Sequence, residues 1–170
     1  MTATIDTRKV TGRRELQFHC VDDILADVER LAQSKEVRAI GNWSNGQVLR
    51  HVAIVMNGSI DGTPKMMPGI MQLMIRLLFK RRFLNRPMPA GFTLPAKASG
   101  LIPSQTKWEE GLNDFRRAVQ RLKSETDRKP HPALGPLTRE EWDKVHCRHA
   151  EFHLSFLVPA ESESARPTKL

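Results

Sequence analysis

The chain contains no tyrosine and only two cysteines, and aromatic residues make up 6% of its 170 residues. Two cysteines are too few for a disulfide framework, so the reducing cytoplasm is the simplest location to expect for the protein. No apolar run reaches the roughly 20 residues that span a bilayer. The N-terminal MTATIDTRKVTGRREL has no apolar stretch of the kind found in secretory signals. We therefore expect a cytoplasmic protein with no membrane segment.

The charge balance is basic, with 27 Lys and Arg against 19 Asp and Glu and a formal net charge of +8. A basic surface can attract an anionic partner. Here the basic residues are scattered, no nucleic-acid motif accompanies them, and the lack of tyrosine removes the usual stacking platform. We expect no nucleic-acid partner.

The helical pattern is strong along most of the chain. The apolar spacing and start signals predict four helices, and two-residue alternation is not convincing anywhere, so the expected fold is all-α, a four-helix bundle. One domain is expected over residues 14–159, with flexible tails at 1–13 and 160–170. The first helix is predicted at about residues 22–33, and the second begins at Ser44, which forms a capping box with Gln47, and ends at about Asn57. The third begins at Thr106, in a capping box with Glu109, and ends before Pro130. The fourth begins at Thr138, in a capping box with Glu141, and ends before Pro159.

A long insertion, residues 61–103, separates the second and third bundle helices. Its front half, PGIMQLMIRLLFKRRF, predicts a short extra helix, and its back half is too rich in Pro and Gly for regular structure. Such a loop is often a lid over a site. The helix has an apolar stripe that favours packing onto the bundle, so we expect no membrane partner, and the alternative is a membrane-surface anchor with a basic end. The stripe consists of Ile70, Met71, Met74, Leu77 and Leu78.

The last helix places His146, His149 and His153 in the centre of its apolar arc, at about 100° per residue. Polar residues lie on the other side, which we expect to face solvent. They are Lys144, Arg148, Glu151 and Ser155.

The spacing of these histidines allows metal chelation. His149 and His153 are four residues apart and His146 and His149 three, so either pair could converge on one ion. His146 and His153 are roughly 10 Å apart by helical rise, so one of the three is a spare. His51, on the flank of the second helix's apolar stripe, can add a third nitrogen from a facing helix.

A set of three imidazoles leaves positions open for water or substrate, and it suits zinc, nickel or iron. The competing interpretation is that these are hydrogen-bonded core histidines, since H-x-x-x-H also occurs by chance. Cys147 is expected to be an inert small hydrophobe. Neither Glu151 nor Asp143 is assigned a role as a general base.

Two segments resemble a known family. GNWSNGQVLRHVA (41–53) and LTREEWDKVHCRHAEFHLSFL (137–157) are similar to an uncharacterised branch of the DinB-like superfamily of metal-dependent four-helix bundles, whose members carry GNWS-x-GQ-x-L-x-H and HAE-x-HLSFL. PAGFTLP (89–95) looks like the central loop of that branch. The resemblance extends from about Arg14 to Pro159.

The resemblance implies a metal held by His51, His149 and His153, with His146 left as a spare that could orient a ligand from behind. The sequence departs from the branch at Phe152, where another histidine is expected. An open site beside the insertion and often a homodimer are further implications.

The resemblance also implies a class of activity. Some DinB-like proteins join low-molecular-weight thiols such as bacillithiol or mycothiol to electrophiles. The expected function is therefore a metal-dependent transferase or hydrolase acting on a small-molecule substrate, and the alternative is a non-catalytic metal or small-ligand binder.

Overall fold

The computed structural model describes residues 5–64, 68–91 and 100–160. The regular elements in this part of the chain are α1 Val21–Ala32, β1 Val37–Ala39, α2 Asn45–Asp61, α3 Gly69–Asn85, α4 Trp108–Ser124, α5 Arg139–Leu154 and β2 Leu157–Pro159. The flexible tail expected from 160 onward falls almost wholly outside the described residues. So do residues 1–4 and much of the Pro- and Gly-rich half of the insertion, and the lid expected there stays a prediction.

The mainly helical fold expected from the sequence is confirmed, with one addition. β1 and β2 form an antiparallel pair in which Val37 lies opposite Pro159 and Ala39 opposite Leu157. The sequence did not predict this sheet because strands of three residues are too short to show alternation. None of the helices in the described ranges is both long and apolar enough to cross a bilayer.

Two of the three predicted capping boxes are confirmed. At the start of α2, the Gln47 amide donates to Ser44 Oγ at 3.2 Å, and the Ser44 amide donates to Gln47 Oε1 at 3.0 Å. The same reciprocal pair joins Thr138 and Glu141 at the start of α5. Both boxes satisfy N–H groups that a helix start leaves free.

The prediction of a capping box formed by Thr106 and Glu109 is wrong. The residue that precedes α4 is Lys107, and it makes no side-chain cap. Thr106 Oγ1 instead donates to the carbonyl of Ser104 at 2.7 Å. A hydroxyl that can bond to a nearby backbone carbonyl competes with its use as a cap.

The core is shared by α1, α2, α4 and α5, each of which contributes fully buried apolar residues. The tightest approach joins α2 to α4. A Cβ built on Gly46 would lie 2.3 Å from the Lys107 carbonyl oxygen, and one on Gly111 would lie 2.3 Å from the Gly46 carbonyl oxygen. Both glycines are therefore required for the backbones to meet, and this contact fixes the start of α2.

The face of α5 expected to be polar and solvated is partly covered by the N-terminal segment. Glu151 and Ser155 are buried. Glu151 accepts from the Phe18 amide at 2.6 Å and pairs with Arg148 at 2.7 Å, while Arg13 donates to Ser155 Oγ at 2.7 Å. The sequence-based expectation was wrong here because a helical wheel does not show which distant segment packs on a polar face. Each buried charge has an ionic partner, as burial requires.

The helix predicted in the insertion exists as α3, but its apolar stripe does not pack onto the bundle. Its five stripe residues are between 50% and 74% exposed. Leu84 near the end of the helix is buried, and two polar side chains make further contacts with the rest of the protein. Gln72 donates to the carbonyls of His131 and Pro132, and Lys80 pairs with Glu141. The preference for a packed stripe is therefore wrong.

Adding a methyl group at the close contact between α2 and α4 should destabilise the fold. We expect Gly46→Ala to lower the free energy of unfolding by about 1–3 kcal/mol, because the new methyl meets rigid backbone. Gly69→Ala is the matched control, since a Cβ there meets nothing within 4 Å. Denaturant titration of both variants measures the difference, and equal stabilities would refute the close contact.

Two histidines, the buried His146 and the half-buried His131, should make stability depend on pH. Burial lowers the pKa of His131 to about 4 and of His146 to about 3. Because the unfolded chain takes up these protons near pH 6.5, the free energy of unfolding should fall as the pH drops from about 6.5 toward 4. His131→Gln keeps an acceptor for the Ala133 and Leu134 amides. Its pH profile should be shallower by up to about 1.4 kcal/mol per pH unit, whereas parallel profiles would contradict the assignment.

Candidate metal centre

His51 reaches the interior from the second turn of α2. The helix begins at Asn45, after the Ser44 box, and its apolar flank is formed by Val48 and Val52. Both valines and His51 itself are buried. Since Gly46 holds the start of this helix against α4, the position of His51 is set by backbone contact rather than by a flexible side chain.

His149 and His153 lie on the last turns of α5, which the Thr138 box starts. Residues four apart are neighbours on one helical face, and their ring centroids are 4.5 Å apart. Each ring also approaches His51, with centroid distances of 5.0 Å from His149 and 4.4 Å from His153. The three imidazoles expected to converge therefore do so.

The ring nitrogens lie close enough together to hold a metal ion. One nitrogen from each of the three histidines lies within 4.8 Å of the others. Nε2 of His51 and Nε2 of His149 are 3.1 Å apart. Two nitrogens bound tetrahedrally at 2.0–2.1 Å would be separated by about 3.3 Å, so this pair is nearly at its ligating distance.

A backbone carbonyl fixes the form of the His51 ring. Nδ1 of His51 lies 2.7 Å from the Leu101 carbonyl oxygen, which can only accept, so Nδ1 carries the proton. The lone pair of neutral His51 is then on Nε2, which faces His149. Such a hydrogen bond behind a ligand is the usual support of a metal-binding histidine. Gln47 also donates to the Pro103 carbonyl at 3.1 Å, so the end of the insertion is attached to α2 beside the site.

The electrostatic surroundings keep the three rings neutral. Burial lowers the pKa of His51, although the Leu101 hydrogen bond opposes the shift. Burial also holds the pKa of His149 well below its usual value, helped by His153 and His51, and it does the same for His153 with help from His51 and Arg13. Neutral imidazole is the form that binds a metal.

Aromatic side chains form the wall of the site. The Trp43 ring stacks on His153 with centroids 5.5 Å apart and planes 9° apart, and it lies 4.7 Å from His51. Phe152 packs its edge on His153 at 4.9 Å. The position at which the DinB-like branch led us to expect a histidine therefore supplies a packing surface and no nitrogen.

The chain matches one family model, described as a protein of unknown function (DUF1569), over residues 10–160. The chain belongs to the DUF1569 family. Comparison with curated proteins gives no match, and comparison with solved structures gives none. The family description carries no activity, so the function of this DUF1569 chain must be argued from the geometry of its site.

His146 lies apart from the three converging rings in this DUF1569 chain. Its Nε2 is 3.2 Å from Ser59 Oγ, and its ring stacks on Trp142 at 5.3 Å. Nδ1 is buried without a hydrogen-bond partner. Cys147 is 1% exposed, and burial raises the pKa of its thiol to about 12. A protonated, enclosed thiol is a poor metal ligand and a poor nucleophile.

Sequence reasoning missed two features of the site. Trp43 belongs to the GNWS segment of the resemblance, and its place directly before the Ser44 cap was the one available sign that it lies near His51. The Leu101 carbonyl could not have been found, because a backbone acceptor has no residue-specific signature. Its contact spans 50 residues along the chain.

Metal content tests the ligand set directly. We expect His51→Ala, His149→Ala and His153→Ala each to weaken binding of Zn²⁺ by more than about 100-fold, because each removes a ligand. His146→Ala and Cys147→Ser should retain the metal. Elemental analysis and calorimetric titration of untagged protein give the readout. Retention of metal by the first three variants together with its loss from His146→Ala would refute the assignment.

Proposed function

We propose that the protein is a metal-dependent enzyme of DinB type that activates a thiol or a water molecule at a divalent metal on His51, His149 and His153. The observation that carries the proposal is the convergence of three neutral imidazoles from two helices within 4.8 Å. The Nε2 atoms of His51 and His149 are 3.1 Å apart, so they can share a hydrogen bond without a metal or become neighbouring ligands of one.

The ligand chemistry narrows the metal to a transition ion. Within the described residues, this group contains three histidines and no carboxylate or thiol. Imidazole suits zinc, nickel and iron, while magnesium and calcium prefer oxygen. Three protein ligands leave at least one coordination position open, which is typical of catalytic sites. His153 is partly exposed, so a small molecule has a side from which to approach.

The chemistry supplied by a bound divalent metal would be a lowered pKa for a ligated thiol or water, which makes a nucleophile near neutral pH. The chain's own residues hold and orient the ligands. Leu101 keeps the His51 proton away from the metal position, and Trp43 restricts the ring of His153 by stacking.

Within the described residues no free carboxylate joins the histidine group, so neither the transferase version nor the hydrolase version has a candidate general base. Glu151 is paired with Arg148 and accepts from the Phe18 amide. Burial raises the pKa of Asp143, but it does not join the histidine group. A thiol or water that released its proton to solvent on binding a metal would need no separate general base to attack, so the transferase version is favoured only by the resemblance to DinB-like thiol transferases.

Non-catalytic metal binding is the second candidate. The same missing base favours it, because a sensor or carrier requires the three ligands and no proton acceptor. It differs from the enzyme in one measurable respect, since metal-loaded protein would give no turnover with any thiol or hydrolysable substrate.

The test uses untagged protein loaded separately with Zn²⁺, Ni²⁺ or Fe²⁺. Bacillithiol, mycothiol and glutathione are each offered with a panel of electrophiles, and conjugates are detected by mass spectrometry. Ester and amide panels test hydrolysis. We expect metal-dependent conjugation that His51→Ala abolishes and Cys20→Ser retains, since Cys20 is an exposed thiol on α1's cap. Stoichiometric metal binding without turnover would support the non-catalytic metal binder, and absence of metal binding would refute both the enzyme and the binder.

A further inference from the structure

Two polar side chains of α3, those of Gln72 and Lys80, contact the rest of the protein. Gln72 Nε2 lies 3.1 Å from the carbonyl oxygens of His131 and Pro132. Lys80, two turns later on the same face, pairs with Glu141 on α5 at 2.5 Å. An ordinary surface helix buries its apolar stripe and exposes its charges. In α3 the apolar stripe is exposed together with charged residues, although Leu84 near the end of the helix is buried.

The outward side of α3 is consequently apolar. Leu77 is 74% exposed and Ile70 is 70% exposed, and Leu78, Met74 and Met71 are also exposed. Single exposed apolar residues are common, whereas a contiguous apolar patch usually marks an interaction site. The patch defined by these five side chains is called the outer face of α3 below.

The charge on the helix is of one sign. Residues 69–86 contain four arginines and one lysine and no aspartate or glutamate. Lys80 forms an ion pair with Glu141, but Arg81 and Arg82 are exposed. At 100° per residue they project from the half of the helix that carries the outer face. Arg86, which follows the helix, is also exposed.

We propose that the outer face of α3 docks on an anionic lipid surface. The apolar side chains would enter the boundary between headgroups and acyl chains, and Arg81 and Arg82 would reach the headgroup phosphates along their flexible stems. Basic residues beside an anionic leaflet each add to the attraction. The helix lies on the surface and does not cross it. This reverses the expectation that the protein has no membrane contact, because that expectation rested on a packed stripe.

The basic charge of α3 favours an anionic lipid surface over other partners of the outer face. A second copy of the chain would bring two sets of arginines together, and neither helix has a carboxylate to pair with them. A nucleic acid would pair with Arg81 and Arg82 but would leave the Leu and Met side chains in water. An anionic bilayer satisfies the apolar and the basic parts of the face together.

Vesicle binding of the full-length, metal-loaded protein is the test. We expect co-sedimentation with phosphatidylcholine vesicles that contain phosphatidylglycerol, and binding at least about tenfold weaker with phosphatidylcholine alone. Binding should weaken as salt is raised. Stripping the metal with a chelator should leave binding unchanged, which separates this surface from the metal centre.

Two variants locate the binding on α3. Leu77→Glu/Leu78→Glu should weaken it by at least about tenfold by removing apolar burial. Arg81→Glu/Arg82→Glu should do the same by charge reversal. Lys35→Glu/Lys144→Glu is the control for the arginine variant, because it makes the same change in net charge as Arg81→Glu/Arg82→Glu at two other exposed positions. All three pairs are exposed, and circular dichroism of each variant checks that it folds.

Several results would overturn the proposal. Absence of binding to anionic vesicles is the simplest. Equal loss of binding in the Lys35/Lys144 control would show only a general effect of the net positive charge. Sedimentation velocity that finds a dimer without lipid, broken by Leu77→Glu/Leu78→Glu, would assign the outer face to a second copy. Binding to an acidic peptide with none to vesicles would assign it to a protein partner.

Discussion

The structure depends on the approach of His51 to His149, whose Nε2 atoms are 3.1 Å apart although the residues are 98 positions apart in the chain. The approach requires α2 to lie close to α4 at Gly46 and α5 to bring a second ring into the same space. Without a metal, one Nε2–H of this pair can donate to the other Nε2. A cation bound by all three rings would replace that hydrogen bond, and this geometry connects the packing of the helices with the proposed chemistry.

The insertion contributes to the protein at both ends. Its last described residues bond to α2, where the Leu101 carbonyl fixes the His51 proton. Its helix presents an apolar and basic face outward. The two proposals rest on separate residues and are tested separately.

Local signals in the sequence were sufficient where the structure is decided locally. The Ser44 and Thr138 boxes and the inward placement of the three α5 histidines followed from spacing alone. Tertiary contact decided the rest. Glu151 became buried because residues 13–18 cross α5, the stripe of α3 remained exposed because Gln72 and Lys80 supply its contacts, and Thr106 bonded to a neighbouring carbonyl. None of these partners is marked by periodicity.

X-ray absorption spectroscopy of the metal-loaded protein tests the central claim most directly, because it reports the atoms bound to the metal. With Zn²⁺ or Ni²⁺ we expect a first coordination shell of light atoms at about 2.0–2.1 Å together with the outer-shell scattering of three imidazole rings. A sulfur shell at about 2.3 Å, or a shell of oxygen without imidazole scattering, would contradict the claim that His51, His149 and His153 hold the metal.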